Sequence, residues 1–189
     1  MNLLQPCSPA MPGPRAEMRE EEAQTLDILL HLVKPELVVE CGTLRGGSAC
    51  IFARHAEVVT FDPAPQVEGN AFGGKPITQI IGSAPHELNK LERFVLATGI
   101  GFRRWMFFHD SVHKAQFLID ELTWAFANGA FCAAWHDVAL DDMLDAIPRL
   151  NQMGHVAFRV QDFGKEQASW SDPPPTIWQG IGFCWNGKW

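Results

Sequence analysis

The sequence predicts an α/β fold, a mostly parallel sheet covered by helices on both faces. Short apolar runs alternate with helical or loop segments through much of the 189-residue chain, and this alternation is typical of β-α-β units. The run from Phe131 to Trp135 is almost continuously apolar, as expected for a strand that is buried on both faces. A glycine-rich turn follows the first apolar run. Together these features favour parallel strands joined by helices in three layers.

The first element is predicted to be an amphipathic helix over residues 17–33. Leucine and valine recur at helical spacing in its second half, and three glutamates occupy its first turns, where negative charge favours a helix N-terminus. Further helices are predicted over Ala49 to His55 and from about Lys114. Five strands are predicted between and after these segments, at Leu37 to Glu40, Val58 to Phe61, Thr78 to Ile81, Trp105 to His109 and Ala130 to Trp135.

The last third of the chain departs from the alternation. Two strands are predicted at Val156 to Phe163 and at Ile177 to Trp185, and the segment between them holds a run of three prolines and no strong helical pattern. Parallel neighbours usually need a helical crossover, so these two strands are expected to pair antiparallel.

The turn after the first strand carries the pattern Glu40-x-Gly42-x-x-x-Gly46. Glycines remove Cβ atoms where the backbone turns sharply and meets a ligand, and a helix that starts beyond the turn points its N-terminus at that ligand. Asp62 follows Gly42 by twenty residues, at the end of the next predicted strand. In a Rossmann-like unit an acid at this spacing binds ribose hydroxyls.

Three kinds of ligand use such a turn, and residue identity separates them. A phosphate-binding P-loop would need lysine and a hydroxyl residue where Ser48 and Ala49 stand. A dinucleotide site wants glycine where the bulky Leu44 lies. The remaining pattern, an acid before the first glycine, suits a ligand that carries an ammonium group and no phosphate. S-adenosylmethionine meets that description.

These residues resemble a known family. Val39 to Ser48 resembles motif I of the class I S-adenosylmethionine-dependent methyltransferases, and Asp62 resembles their ribose-binding acid. Phe107 to His113 and Gly129 to Val138 resemble two strand ends of small-molecule O-methyltransferases of the methyltransferase family 24 type. The resemblance covers roughly residues 20–185. It implies a seven-stranded Rossmann-like sheet of order 3-2-1-4-5-7-6 with the last strand antiparallel.

The resemblance also implies where S-adenosylmethionine binds. Glu40 and Gly42 are expected to meet the methionine part, Asp62 the ribose hydroxyls, and Ser83 the adenine. The full set of expected cofactor-binding residues is Glu40, Gly42, Thr43, Gly46, Ser48, Asp62, Ser83 and Asp110.

Acidic and imidazole side chains follow two strands that should be neighbours. Asp110, His136 and Asp137 could together hold one divalent cation, Mg²⁺ or Mn²⁺, at the strand ends that supply metal ligands in the resembled enzymes. His136 departs from the acids and amides usual there. His113 stands where catechol-type relatives carry a lysine base, and with Asp110 it is the expected catalytic residue. The aspartate base of sugar-modifying relatives is replaced by Val112.

Composition limits the function. A formal net charge of −7 and a pI near 5.4 disfavour nucleic acid as a partner. No segment has the length and apolarity of a membrane span, and the five cysteines form no Cys-x-x-Cys pair, which favours the reducing cytoplasm. We expect a single domain over residues 1–189, with residues 1–15 as a flexible arm. Phe72 in a glycine-rich segment, and Trp170 and Trp178 around the proline run, are candidate rim or lid residues or homodimer contacts.

The predicted function is therefore S-adenosylmethionine-dependent methylation of a small molecule, most simply on oxygen, with a divalent metal. Two alternatives remain open at this level. One is a metal-independent methyltransferase in which Asp110, His113 and His136 only orient the acceptor. The other is a domain that binds S-adenosylmethionine without catalysis. A nicotinamide-dependent oxidoreductase is a more distant alternative.

Overall fold

A computed structural model of the chain describes residues 18, 20–67, 72–82, 104–138, 142–160 and 180–187. Its helices, with one short 3₁₀ turn, are α1 (Glu20–Val33), α2 (Gly47–Phe52), α3 (Ala115–Ala127), the 3₁₀ turn (Met143–Asp145) and α4 (Ala146–Gln152). Its strands are β1 (Leu37–Cys41), β2 (Glu57–Asp62), β3 (Ile77–Ile81), β4 (Trp105–His109), β5 (Cys132–Trp135), β6 (Val156–Arg159) and β7 (Gly182–Trp185).

The strands form one seven-stranded sheet of order β3-β2-β1-β4-β5-β7-β6, which confirms the predicted topology. β1 lies at the centre, where Val39 pairs with Val59 of β2 and with Phe107 of β4, both in parallel. β7 runs antiparallel to both β5 and β6. The carboxyl ends of β1, β2, β4 and β5 therefore meet at one edge of the sheet.

Two apolar layers enclose this sheet. On one face, α3 and α4 pack against alternate strand residues such as Val39 and Phe107, while α1 and α2 cover the other face around Val38 and Phe108. All five residues of both β1 and β4 are buried. The continuous apolar runs thus reflect strands covered on both sides, as predicted.

Several element boundaries differ from those predicted. α1 begins at Glu20 rather than at residue 17, and α2 spans Gly47–Phe52 rather than Ala49 to His55. β5 begins at Cys132 rather than at Ala130. Apolarity alone does not mark where main-chain hydrogen bonding to a neighbour begins, so strand ends are the least predictable part. The predicted extensions of β6 beyond 160 and of β7 before 180 lie outside the described residues.

A buried pair ties the end of β4 to α3. His109 points to the α3 face, away from Asp110, as the alternation of a strand predicts. Its Nδ1 lies 2.6 Å from Glu121 Oε2, and its Nε2 lies 3.2 Å from the carbonyl oxygen of Val112. Both ring nitrogens are therefore engaged, and the pair anchors the loop that leaves β4.

Three cysteines lie in the strands. Cys41, Cys132 and Cys184 are buried and unbridged in their strands, where they act as small apolar residues. Among the described residues, no helix combines the length and apolarity needed to cross a bilayer.

Candidate active site

A cavity of about 480 Å³ opens at the edge where the carboxyl ends of four parallel strands meet. In open α/β sheets ligands bind at this edge, and the volume suits a small molecule. One end of the cavity is formed by the turn after β1 and the end of β2, and the other by the loops after β4 and β5. It is lined by Cys41, Gly42, Leu44, Phe61, Asp62, Pro63, Gly82, Asp110, Ser111, Val112, His113, Phe117, His136 and Asp137.

Gly42 is required where β1 meets the loop after β4. Its φ is +108°, a conformation that residues with a side chain rarely adopt. A Cβ atom there would lie 1.9 Å from the carbonyl oxygen of Asp110. The glycine therefore lets two loops meet at the cavity, in addition to any contact with a ligand.

Replacing Gly42 by alanine is expected to lower the free energy of unfolding by at least about 2 kcal/mol, because backbone strain and overlap add. Urea unfolding measures the loss. Gly74→Ala is the matched control: Gly74 also has a positive φ, +75°, but a Cβ there meets nothing within 4 Å. Equal losses in the two variants would contradict the proposed close approach.

Glu40 lies beneath the turn rather than on the cavity wall. It is fully buried, and it accepts hydrogen bonds from the hydroxyls of Ser48 and, at 2.6 Å, Thr60. Thr43 in turn lies 2.6 Å from the Thr60 hydroxyl. Burial raises the pKa of Glu40 to about 8, against the opposing effect of these hydrogen bonds. The structure thus places Glu40, Thr43 and Ser48 in one internal network that holds the turn.

Asp62 does line the cavity, and it also shapes the turn. Its Oδ2 accepts a hydrogen bond of 2.8 Å from the Leu44 backbone N–H, and its Oδ1 accepts one of 2.7 Å from Ala64. Each carboxylate oxygen can accept a second hydrogen bond, so capacity for ligand hydroxyls remains. Leu44 itself has a positive φ of +43°.

Gly46 faces an aromatic ring instead of open space. A Cβ at Gly46 would lie 2.5 Å from Phe72 Cε1, which places the predicted rim residue Phe72 against the turn. Ser83, the residue expected at the adenine, lies outside the described residues, as do Trp170 and Trp178.

Two aspartates and two histidines meet at the other end of the cavity. His113 Nε2 lies 3.1 Å from Asp137 Oδ2 and 3.7 Å from Asp110 Oδ1. His136 Nδ1 lies 3.4 Å from Oδ1 of each aspartate. The structure therefore brings together all four residues that the sequence pattern selected for metal binding and catalysis. Asp137 has a φ of +54°, a strained backbone that aims its carboxylate into the cluster.

The charges of the cluster stabilise one another. Burial opposes ionisation of Asp110, but the neighbouring imidazoles of His113 and His136 outweigh it and lower the pKa of Asp110 to about 2. Burial likewise opposes the charged form of His136, but Asp110 and Glu22 outweigh it and raise that pKa to about 10. The nearby carboxylate of Asp110 raises the pKa of His113. Burial raises the pKa of Asp137, with the His136 charge opposing.

Glu22 of α1 is a member of the site that sequence reasoning missed. Its side chain is fully buried, and its Oε2 lies 3.1 Å from His136 Nε2. A signal was present: Glu22 precedes Leu26 by four residues and Leu30 by eight, so it falls on the buried stripe of the helix. Its two acidic neighbours, Glu20 and Glu21, are exposed.

The cluster fits a divalent cation. Adjacent ligand atoms lie roughly 2.8 to 3.0 Å apart around an octahedral Mg²⁺ and roughly 3.3 to 3.6 Å apart around a tetrahedral metal, and the imidazole nitrogens and carboxylate oxygens of the cluster lie 3.1 to 3.7 Å apart. Asp137 Oδ1 is buried and has no hydrogen bond among the described residues. Asp110, His113 and Asp137 can each offer an atom to one ion, and His136 faces both aspartates. A cation there would compete with protons for the imidazole nitrogens, because a histidine must lose a proton from the nitrogen that binds a metal.

Comparison with solved structures finds methyltransferases of the same architecture. The O-methyltransferase TomG of Streptomyces achromogenes, involved in tomaymycin synthesis and solved with S-adenosylmethionine, is 19% identical with a TM-score of 0.63, over 89% of this chain and 80% of that one. The O-methyltransferase of Bacillus cereus, solved with S-adenosylhomocysteine, is 15% identical with a TM-score of 0.64, over 91% and 84%. An rRNA methylase from Streptococcus thermophilus is 15% identical with a TM-score of 0.58, over 89% and 98%.

No protein-family model matches the sequence, and no curated protein matches it. At these identities the structural likeness shows a shared fold.

Proposed function

Because the chain has the class I methyltransferase fold, we propose that it is an S-adenosylmethionine-dependent methyltransferase that methylates an oxygen of a small molecule. One observation carries the proposal. A single cavity joins the acid-glycine turn, suited to the cofactor, to a cluster of aspartates and imidazoles, suited to a hydroxyl acceptor. The methyl donor and the hydroxyl acceptor would thus bind next to each other in the same cavity.

The turn end of the cavity is the proposed cofactor site. Asp62 would accept hydrogen bonds from the ribose hydroxyls, and the backbone at Gly42 would approach the methionine part. Pro63 and Gly82 line the same end, where the adenine would bind. Glu40 would act from below, through the Ser48 and Thr60 network that fixes the turn.

The cluster end is the proposed acceptor site. Val112 and Phe117 give it apolar surface beside His113 and the aspartates, a combination that suits a compact hydroxylated molecule such as a phenol or a sugar. The negative net charge of −7 disfavours the polyanion that an rRNA methylase must hold. We therefore favour a small acceptor over nucleic acid.

Methyl transfer is an in-line displacement at the sulfonium, so the protein must align the acceptor oxygen with the methyl group and remove one proton. The O–C bond forms as the S–C bond breaks, and S-adenosylhomocysteine leaves. His113 faces the cavity with 31% of its side chain exposed, so we assign it as the acceptor of the hydroxyl proton. Asp110 orients His113 from a distance of 3.7 Å.

Asp110, His136 and Asp137 are the proposed metal ligands. A divalent cation held by them would polarise the acceptor hydroxyl and make its proton easier to remove. The hydrogen bond between His136 Nε2 and Glu22 supports His136 as a ligand through Nδ1, because metal-bound histidines commonly donate their other N–H to a carboxylate. The cluster Asp110, His113 and Asp137 is the competing ligand set, and the metal-independent enzyme is the competing mechanism.

Cofactor binding tests the proposal directly. Asp62→Ala is expected to weaken S-adenosylhomocysteine about 10- to 100-fold, since hydrogen bonds to a charged group contribute about 1.5 to 3 kcal/mol. Titration calorimetry measures the change. Asp120→Ala is the matched control, because Asp120 is an exposed acid of α3 that is not part of the cavity wall. Wild-type protein that binds neither S-adenosylmethionine nor S-adenosylhomocysteine would overturn the proposed function.

A further inference from the structure

We propose that Glu22 is a positioning residue of the active site, holding His136 through its Nε2–H so that Nδ1 faces Asp110 and Asp137. This inference rests on the proposed function only for its effect on turnover. The contact itself joins the first helix to the end of β5, across 114 positions of sequence.

The geometry gives the two nitrogens of His136 different partners. Nε2 lies 3.1 Å from Glu22 Oε2, and Nδ1 lies 3.4 Å from each aspartate. Since a carboxylate can only accept, the Nε2 atom must donate. The ring is thereby fixed in one orientation, and a flipped ring would point carbon atoms at Glu22. In a histidine site, the hydrogen bond made by one ring nitrogen decides which nitrogen is protonated and which can bind a metal.

The burial of Glu22 indicates a specific role rather than general helix stabilisation. Acidic side chains near a helix N-terminus stabilise the helix through its dipole, but Glu20 and Glu21 already provide exposed acids in the first turn. Glu22 instead occupies the apolar stripe, where it is fully buried above Leu26. Burying a carboxylate is costly unless it is paired, and leucine would fill this position at no such cost. The imidazole of His136 is a pairing group for this carboxylate.

The environment of His136 explains why one orientation matters. Glu22 faces it from α1, Asp110 from the loop after β4, and Asp137 from its own loop. Without Glu22, the imidazole ring could adopt either of two orientations, related by a flip of the ring, and Nδ1 would face the aspartates in only one of them. The site would then present a mixture of geometries to the acceptor or to a cation.

A spectroscopic test addresses the contact in ligand-free protein at one fixed pH. An imidazole N–H donated to a buried carboxylate is protected from exchange, so a ¹⁵N-resolved spectrum should show a downfield His136 Nε2–H proton. His55, His109 and His113 also contact carboxylates, so the signal is assigned to His136 by its loss in His136→Gln, and to Nε2 by correlation of that nitrogen with both ring C–H protons. We expect the signal to vanish in Glu22→Ala and to persist, shifted upfield, in Glu22→Gln, whose amide oxygen still accepts.

The kinetic test uses the same variants. Glu22→Ala is expected to lower kcat about 10- to 100-fold, the usual effect of removing a carboxylate that supports a functional histidine, with S-adenosylhomocysteine affinity unchanged. Glu22→Gln should recover part of that loss. Glu21→Gln, which removes an exposed charge one residue away, should match wild type in both assays.

A His136 Nε2–H signal that survives in Glu22→Ala would overturn the positioning role, as would equal kcat losses in Glu22→Ala and Glu22→Gln. If Glu22→Ala does not fold, the Gln variant alone decides, by whether it keeps the shifted proton. Failure of the proposed function appears differently, as absent cofactor binding in wild type. The spectroscopic result does not depend on it.

Discussion

Exhaustive chelation is expected to reduce methyl transfer to background, and added Mn²⁺ or Mg²⁺ to restore it. The reason is the donor set: the Nδ1 atom of His136 lies 3.4 Å from a carboxylate oxygen of each of two aspartates at the cavity, and carboxylates with an imidazole suit Mn²⁺ among the divalent ions. Turnover is followed by release of S-adenosylhomocysteine with an acceptor found in a panel of phenols and sugars. Activity that survives complete chelation would instead support the metal-independent mechanism.

Binding of Mn²⁺ identifies the ligands without any acceptor. Electron paramagnetic resonance titration should show weaker Mn²⁺ binding in Asp137→Ala and His136→Gln than in wild type, by more than the 10- to 100-fold expected for losing a residue that only supports a ligand. His113→Ala should bind Mn²⁺ like wild type. If His113→Ala loses the ion while His136→Gln keeps it, the competing set of Asp110, His113 and Asp137 is the correct one.

Replacing His113 by alanine is expected to lower turnover by about 10² to 10⁴-fold, the range for loss of a positioned base. His113 is half-buried, faces the cavity, and has its Nε2 within 3.7 Å of Asp110. Binding of S-adenosylhomocysteine should be unaffected, because His113 lies at the opposite end of the cavity from Asp62. His31→Ala, an exposed histidine of α1, is the matched control.

The pH profile provides a second measure of the same role. Only the neutral imidazole can accept a proton, so turnover should rise with pH through one ionisation, and that rise should be missing from the residual activity of His113→Ala. Wild-type turnover with an unchanged profile in His113→Ala would show that the proton leaves by another route.

Most of the fold was predictable because its signals are local. Continuous apolar runs marked the strands that helices cover on both faces, and the antiparallel end followed from the lack of a strong helical pattern in the sequence between the last two strands. The positions of Gly42 and Asp62 followed from spacing alone, and both line the cavity.

The rest depends on contacts between distant segments. Sequence spacing placed Glu40 near the ligand, but it could not show that Ser48 and Thr60 would occupy both of its oxygens. It identified His136 without revealing which nitrogen faces the aspartates. That orientation is set by Glu22, whose helical register was visible in the sequence but whose partner was not.

The contact between Glu22 and His136 also bears on the order in which the protein assembles. Glu22 is synthesised 114 residues before His136, so this contact can form only after most of the chain has been translated. Contacts of such long sequence separation form late, because the intervening chain must first be ordered. The helices and the central strands can therefore be in place before the site is complete. The contact between Glu22 and His136 is then expected to form after α1 has packed on the central strands, and it completes the site.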